Sequence, residues 1–223
     1  MSYKQILISS RNTPLTIKIK HFNVYSHYGM PAIDATHCSS LHLIVDGKNF
    51  LGSGNKTLTT VDNYSAAIMA SSLSISGINN ADLTLQGGAG VGFLEKNPNN
   101  NKTNGLSGAD GIYCSSNLRI YDITLKATGG SGYAGYVNGD GGRGGNGINV
   151  GGRIEIYDST VTAVAGNGGS AGQGGGSPGS AGTPVRAKEI YGYIERVYGN
   201  SGNYSIIEDD ATSENYEINV LRQ

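Results

Sequence analysis

The sequence lacks tryptophan, has two cysteines and three phenylalanines, and carries charge on only 15% of its 223 residues. Its formal net charge is −1, so no basic surface for nucleic acid or for an acidic membrane is predicted. No hydrophobic run approaches the length of a membrane-spanning helix. Without tryptophan the Trp-Asp signature of a β-propeller is missing, and no segment has the pattern of a helical repeat.

The start of the chain lacks the features of a secretion signal. The first residues, MSYKQILISSRNTPLTIKIK, show no basic n-region, no long apolar stretch and no small-residue cleavage site. We therefore expect either that the protein is not exported by the usual route or that Met1 begins a trimmed chain. The length suits one domain with a proper core, or at most two.

Glycine is abundant, with 36 residues, and the segments between the glycine runs repeat. GIYCSSNLRIYDITLKATGG (111–130) aligns without a gap to GINVGGRIEIYDSTVTAVAG (147–166), with eight of twenty positions identical. Segments that begin at Ala67 and Ala35 fit the same frame more loosely. Apolar residues alternate with period two in each copy, which predicts short strands in a β-solenoid whose turns stack about 4.8 Å apart. The aligned pairs include Ile112/Ile148, Ile120/Ile156, Tyr121/Tyr157 and Thr124/Thr160.

The alignment also predicts a column of small inward-facing residues, formed by Cys38, Ala70, Cys114 and Val150. Two turns would separate the cysteines by roughly 10 Å, which is beyond the reach of a disulfide. We therefore expect two buried free thiols.

The solenoid is predicted over residues 1–186, with glycine-rich loops at 87–109, 129–147 and 165–184. From residue 187 the chain becomes polar and rich in tyrosine. Two strand-like stretches near its end, YSIIED and NYEINVL, predict a β hairpin within a capping segment, 187–223. Such a cap would cover the strand edges that an open last turn exposes.

The glycine-rich loops leave successive repeats at the same point, so we expect them to lie side by side. One hypothesis makes them flexible excursions, because loop closure costs little with length. The other packs them as extended, polyproline-like segments, where glycine permits close backbone approach. We favour partial ordering and a binding surface, since rigid scaffolds often carry function on loops. The candidate ligand-binding residues there are Tyr133, Tyr136, Asp140 and Arg143.

An outward column places Arg119 beside Glu155 and Tyr121 beside Tyr157. A ladder that stabilises the sheet is the ordinary interpretation. The functional alternative makes Tyr121 and Tyr157 a pair on which a sugar stacks.

Asp122 lies beside Asp158, and this pair either caps turns or shares a calcium ion. GGNGINVGG (144–152) matches the calcium-binding nonapeptide of β-rolls only weakly, because Asn149 replaces its aspartate. The histidines lack zinc-site spacing, and no other cofactor is predicted.

No nucleophile motif or phosphate-binding loop is present, so no catalytic residue is predicted.

The recurring frame DGIYCSSNLRIYDITLKATGG and NGINVGGRIEIYDSTVTAVAGNGG resembles glycine-rich right-handed parallel β-helix proteins of the pectin-lyase-like group. The similarity spans roughly Ala35 to Gly166 and is greatest to the non-catalytic, carbohydrate-binding surface members. It implies polysaccharide binding, sometimes with calcium. Lyases of the group carry clustered aspartates with an arginine or lysine, whereas Arg119 and Glu155 are nearly all that the outward positions offer here.

In composition, the glycine runs also resemble phage receptor-binding adhesins, which use polyglycine segments as a rigid base.

The first functional hypothesis is therefore a non-catalytic recognition or adhesion module that binds a cell-surface glycan, located extracellularly or on a virion. The second is a structural or tail-fibre component that assembles with copies of itself or with other fibre chains. The third is a polysaccharide lyase.

Overall fold

The computed structural model describes residues 5–8, 13–57, 65–93 and 102–192, together with the backbone of Ile194–Tyr198 and Ile218–Val220. All regular structure in these ranges is β-strand; they contain no helix, and therefore none that could cross a membrane. The all-β class predicted from the period-two pattern is confirmed. In chain order the strands are β1 (Ile6–Leu7), β2 (Leu15–Lys20), β3 (Asn23–Tyr25), β4 (Ile33–Ala35), β5 (Leu41–Gly52), β6 (Ala66–Ala70), β7 (Leu73–Gln86), β8 (Asp110–Cys114), β9 (Leu118–Tyr121), β10 (Thr124–Thr128), β11 (Ile148–Val150), β12 (Arg153–Tyr157), β13 (Thr160–Val164), β14 (Val185–Arg186), β15 (Glu189–Tyr191), β16 (Ile194–Tyr198) and β17 (Ile218–Val220).

The strands form two parallel sheets. The first has six strands in the order β1-β4-β6-β8-β11-β14, and the second contains the other eleven. The long strand β7 pairs with β9 through Leu73–Ser76 and with β10 through Asp82–Gln86. Each repeat of the chain thus contributes one strand to the first sheet and two stretches to the second.

The predicted vertical register is confirmed. Ile112 is the partner of Ile148, Ile120 of Ile156 and Thr124 of Thr160. Alternate residues of these strands face inward, where apolar side chains are shielded from water. The largest fully buried side chains are all isoleucine or leucine: Ile33, Leu41, Leu43, Leu51, Ile68, Ile75, Leu83, Leu85, Ile112, Leu118, Ile120 and Leu125.

The predicted inward column is wrong for Cys38. Ala35 is the partner of Ala70, which in turn pairs with Cys114. A Ser-Ser pair directly follows Cys38, Ala70 and Cys114 in the sequence, and aligning these pairs caused the error. The pairs are not equivalent, because residues 36–40 connect β4 to β5 whereas only residues 71 and 72 connect β6 to β7. Cys38 lies in the longer connection, yet both cysteines are buried and unpaired as expected.

Parallel pairing continues beyond Ala187. Strand β15 pairs with β12, β16 pairs with β13, and β17 pairs with β16. The first strand of the predicted hairpin, YSIIED, lies outside the described residues, so the hairpin and the cap over 187–223 stay predictions.

The described parts of the glycine-rich loops are hydrogen-bonded to one another. In the part of the chain that is described, they consist of outgoing segments (87–93, 129–136 and 165–172) and return segments (102–109, 139–147 and 176–184). We call these six segments together the glycine lattice. Their backbone N–H groups donate to neighbouring segments with a period of three residues, which matches the three residues per turn of a polyproline II helix.

The period of three is visible in two sets of bonds. Gly132 N donates to Asn167 O of the next repeat, and Gly135 N, three residues later, to Ser170 O, both at 2.8 Å. Gly142 N donates to Tyr133 O, also at 2.8 Å, and so joins a return segment to the outgoing segment of the same loop. The expected packing of the loops is therefore confirmed for the described residues.

Glycine is required in the lattice because a side chain would meet the neighbouring backbone. A Cβ atom on Gly169 would lie 1.9 Å from Tyr133 O, and one on Gly142 would lie 2.0 Å from Leu106 O. Backbone atoms cannot move away as the end of a flexible side chain can. Only positions that face solvent or the edge of the lattice are free to carry other residues.

Polar side chains on the return segments bond the backbone of the next repeat. The Oδ1 atom of Asn104 accepts from Asp140 N at 2.8 Å, and Oδ1 of Asp140 accepts from Ser177 N at 2.8 Å. Further along the same segments, Asn146 Oδ1 accepts from Thr183 N at 2.9 Å. Asparagine and aspartate therefore supply acceptors for N–H groups that the lattice does not pair.

A buried carboxylate joins strands of the second sheet. Asp46 Oδ2 lies 2.9 Å from Lys18 Nζ and 3.8 Å from Lys20 Nζ, and its Oδ1 accepts from Asn79 Nδ2 at 3.0 Å. The hydrogen bonds from Lys18 and Asn79 lower the pKa of Asp46 to about 2.

We predict that Gly169→Ala lowers the free energy of unfolding by about 1–3 kcal/mol, the usual cost of overpacking. Chemical denaturation monitored by circular dichroism measures the loss. The neighbouring Ser170→Ala is the control, because Ser170 is exposed and already carries a Cβ atom. Equal stability of the two variants would contradict the packing described above.

We predict that Asp46→Asn destabilises the protein at neutral pH and that its difference from the unmodified protein shrinks as pH falls from 3.8 to about 2. The folded-state pKa is depressed, so the carboxylate stabilises the fold above its unfolded pKa and loses that effect on protonation. Denaturation curves across this pH range measure the difference. Asp158→Asn, at an exposed corner of the same sheet, is the control substitution. A penalty for Asp46→Asn that stays constant as pH falls would contradict the assignment.

Candidate functional site

Three aromatic side chains cluster on two neighbouring loops of the lattice. The ring centroid of Phe93 lies 5.2 Å from that of Tyr133, edge to face, and 5.1 Å from that of Tyr136. Tyr133 is 37% exposed and Tyr136 is 57% exposed, and Val91 and Val137 beside them are also exposed. We call Phe93, Tyr133 and Tyr136 the aromatic cluster.

The lattice fixes where the cluster can form. A Cβ atom on Gly130 would lie 2.0 Å from Gly88 O, so only glycine fits there. Tyr133 and Tyr136 lie three and six residues after Gly130. An extended segment with three residues per turn therefore points their side chains in the same direction as the absent Cβ atom of Gly130, farther along the loop. Their own N–H groups donate to Leu106 O at 2.8 Å and Thr103 O at 2.9 Å. The backbone beneath the exposed rings is thus held on the neighbouring return segment.

Asp140 and Arg143 lie on the return segment and have partners within it or across repeats. Asp140 accepts from Ser177 N, and its Oδ2 is 3.6 Å from Lys102 Nζ. The Ser177 N–H, assisted by Lys102, lowers the pKa of Asp140. Arg143 Nη2 donates to Asn146 Oδ1 at 3.4 Å. Of the four loop residues predicted to bind ligand, the structure brings Tyr133 and Tyr136 together on Phe93. Asp140 bonds the next repeat, and the exposed side chain of Arg143 bonds Asn146 of its own segment.

The outward column of the second sheet forms a ladder. Tyr121 and Tyr157 stack with ring centroids 5.0 Å apart and an interplanar angle of 7°. Arg119 Nε lies 2.7 Å from Glu155 Oε2, and Arg153 Nη1 lies 3.6 Å from Glu155 Oε1. Each tyrosine ring covers one face of the other, and this contact between neighbouring strands supports the stabilising interpretation of the column.

Asp122 and Asp158 occupy the corner of the second sheet with φ angles of 52° and 46°. This left-handed region is one that aspartate tolerates better than most residues, so the turn accounts for their presence. No group of three or more histidine, cysteine, aspartate or glutamate side chains that could hold a metal ion occurs within the described ranges. A calcium ion shared by Asp122 and Asp158 stays a prediction.

A groove that the sequence did not reveal follows the junction between the second sheet and the outgoing segments. Its volume is about 430 Å³, and the residues that line it come from five successive repeats. Tyr25, Gln86 and Thr128 are among them, and none of the lining residues is charged. Period-two alternation marks these residues as outward-facing, but only the pairing of strands distant in sequence brings them into one row.

Phe93 was also missed. Its only sequence signal is that it is an aromatic residue within a polar, glycine-containing insertion.

Searches against protein-family models, curated proteins and solved structures gave no match to this chain.

Proposed function

We propose that the protein is a non-catalytic recognition module, a right-handed parallel β-helix whose glycine-rich loops bind glycan at a cell or virion surface. The parallel sheets and the register of the repeats support the β-helix. The main support for the binding function is the exposed aromatic cluster, which lies on the hydrogen-bonded backbone of the glycine lattice.

A rigid base favours binding because little conformational entropy is lost when the ligand arrives. Tyrosine combines an apolar ring with a hydroxyl group, which suits the apolar faces and the hydroxyls of a sugar. Tyr133 and Tyr136 are held by backbone bonds and by contact with Phe93, yet remain exposed. The cluster is therefore ready for contact before any ligand binds.

The test is binding to an array of bacterial polysaccharides, followed by titration of the best ligand. We predict that Tyr133→Ala and Tyr136→Ala each weaken binding by roughly two- to twelvefold, the equivalent of about 0.5–1.5 kcal/mol per aromatic contact. Tyr133→Phe and Tyr136→Phe are the matched controls and should retain most of the affinity, because the rings remain.

Two outcomes would contradict the proposal: an array without a ligand, or a ligand whose affinity is unchanged by both alanine variants. Light scattering at increasing protein concentration separates recognition from assembly, since a self-assembling component would not stay monomeric.

A further inference from the structure

The groove beside the glycine lattice has a floor built by strand register. Tyr25 is the partner of Gly52, and Gly52 of Gln86. Gln86 is the partner of Thr128, and Thr128 of Val164. These five residues form one row at the end of the second sheet, at the point where the outgoing segments begin. Adjacent strands are about 4.8 Å apart, so the row spans about 19 Å across five strands.

One end of the row carries an aromatic ring that is fixed in place. Tyr25 lies over Gly52, where an added Cβ atom would be 2.4 Å from Tyr25 Cδ1 and 2.5 Å from Cε1. The ring of Phe50 supports it from the side, with centroids 4.8 Å apart and an interplanar angle of 51°. Tyr25 is nevertheless 42% exposed. Glycine at position 52 thus lets the ring lie on the backbone while part of it stays accessible.

The polar groups along the groove are neutral and have bonding capacity left. Gln86 Nε2 donates to Gly87 O at 3.0 Å, which fixes the amide and leaves Oε1 without a partner in the described chain. Asn55 Oδ1 accepts from Ala89 N at 3.1 Å, which leaves its Nδ2 group as a donor. The hydroxyls of Thr128 and Ser131 also line the groove, and each can donate and accept.

We propose that this groove binds a neutral oligosaccharide, with one sugar ring stacked on Tyr25 and sugar hydroxyls bonded to Gln86, Asn55 and Thr128. Sugar hydroxyls require both donors and acceptors, and the two anchored amides with the hydroxyls provide both. No charged residue lines the groove to neutralise an acidic sugar. The proposal rests on the recognition function above and adds a second contact surface, separate from the aromatic cluster.

The test uses amide chemical shifts during titration of the full chain with neutral glucan hexasaccharides of α and β linkage. An acidic oligogalacturonate serves as the comparison probe. A saturable shift of the Gln86, Thr128, Gly129 and Gly130 amides with a neutral probe, absent with the acidic one, is expected. Tyr25→Ser and Gln86→Met should each weaken this binding by roughly two- to twelvefold, whereas Tyr25→Phe should stay within about twofold of the unmodified protein.

Thr128→Val removes one hydroxyl with little change of shape and gives a readout if Tyr25→Ser fails to fold. The matched control is Thr124→Val, the same substitution at an exposed position of β10 that does not line the groove, and it should leave binding unchanged. The inference is overturned if no neutral probe shifts the groove amides, if the acidic probe binds there more tightly, or if the groove variants bind as well as the unmodified protein.

The same titrations separate this inference from the recognition function. Binding lost in Tyr133→Ala and Tyr136→Ala but kept in the groove variants would support the aromatic cluster alone and overturn the groove. Binding lost only in the groove variants would support the groove and count against the aromatic cluster as the contact surface.

Discussion

Backbone hydrogen bonds hold the glycine lattice together, and they form between extended segments that lie too close to leave room for side chains. Each segment of the glycine lattice bonds neighbours in its own loop and in adjacent repeats, as in Gly145 N to Gly130 O and Gly144 N to Ser180 O. Glycine has a high entropic cost on folding, yet it is the only residue that permits this approach. Many backbone bonds formed together offset that cost, in a region with few apolar side chains.

The sheets and the lattice are coupled through a common register. Ile112 and Ile148 are 36 residues apart and are paired in the first sheet. Asn104 and Asp140, also 36 residues apart, are bonded in the lattice. The strands thus set the alignment that the loops continue, and a shift in either would misplace the other. On the last return segment, Pro178 and Pro184 are in register with Gly141 and Gly147, whose own N–H groups donate to Ser177 O and Thr183 O of that segment. Because proline has no N–H, these two positions add no donor at the outer side of the lattice.

Much of this architecture was predictable because the repeats align closely in sequence. The match of Ile120 with Ile156 and of Tyr121 with Tyr157 carries directly into strand pairing. Cys38 was misplaced because a serine pair was taken as a fixed point, although the lengths of the connections differ. The division of the loop between an exposed Tyr136 and a bonded Asp140 could not be read from the sequence. Whether a loop residue is exposed or bonded depends on which of three directions its side chain faces. Those directions can be assigned only when the positions of the neighbouring segments are known.

The described parts of the glycine-rich loops are joined by backbone hydrogen bonds and are not expected to be flexible excursions. Native-state amide hydrogen exchange at single-residue resolution distinguishes these two states. We predict strong protection from exchange at five glycine amides, comparable with the core strand residues Ile120 and Ile156, because the N–H groups of these glycines are all bonded: Gly132, Gly142, Gly145, Gly166 and Gly169. Exchange of these glycine amides at the rate of an unstructured peptide, while the strands stay protected, would contradict it.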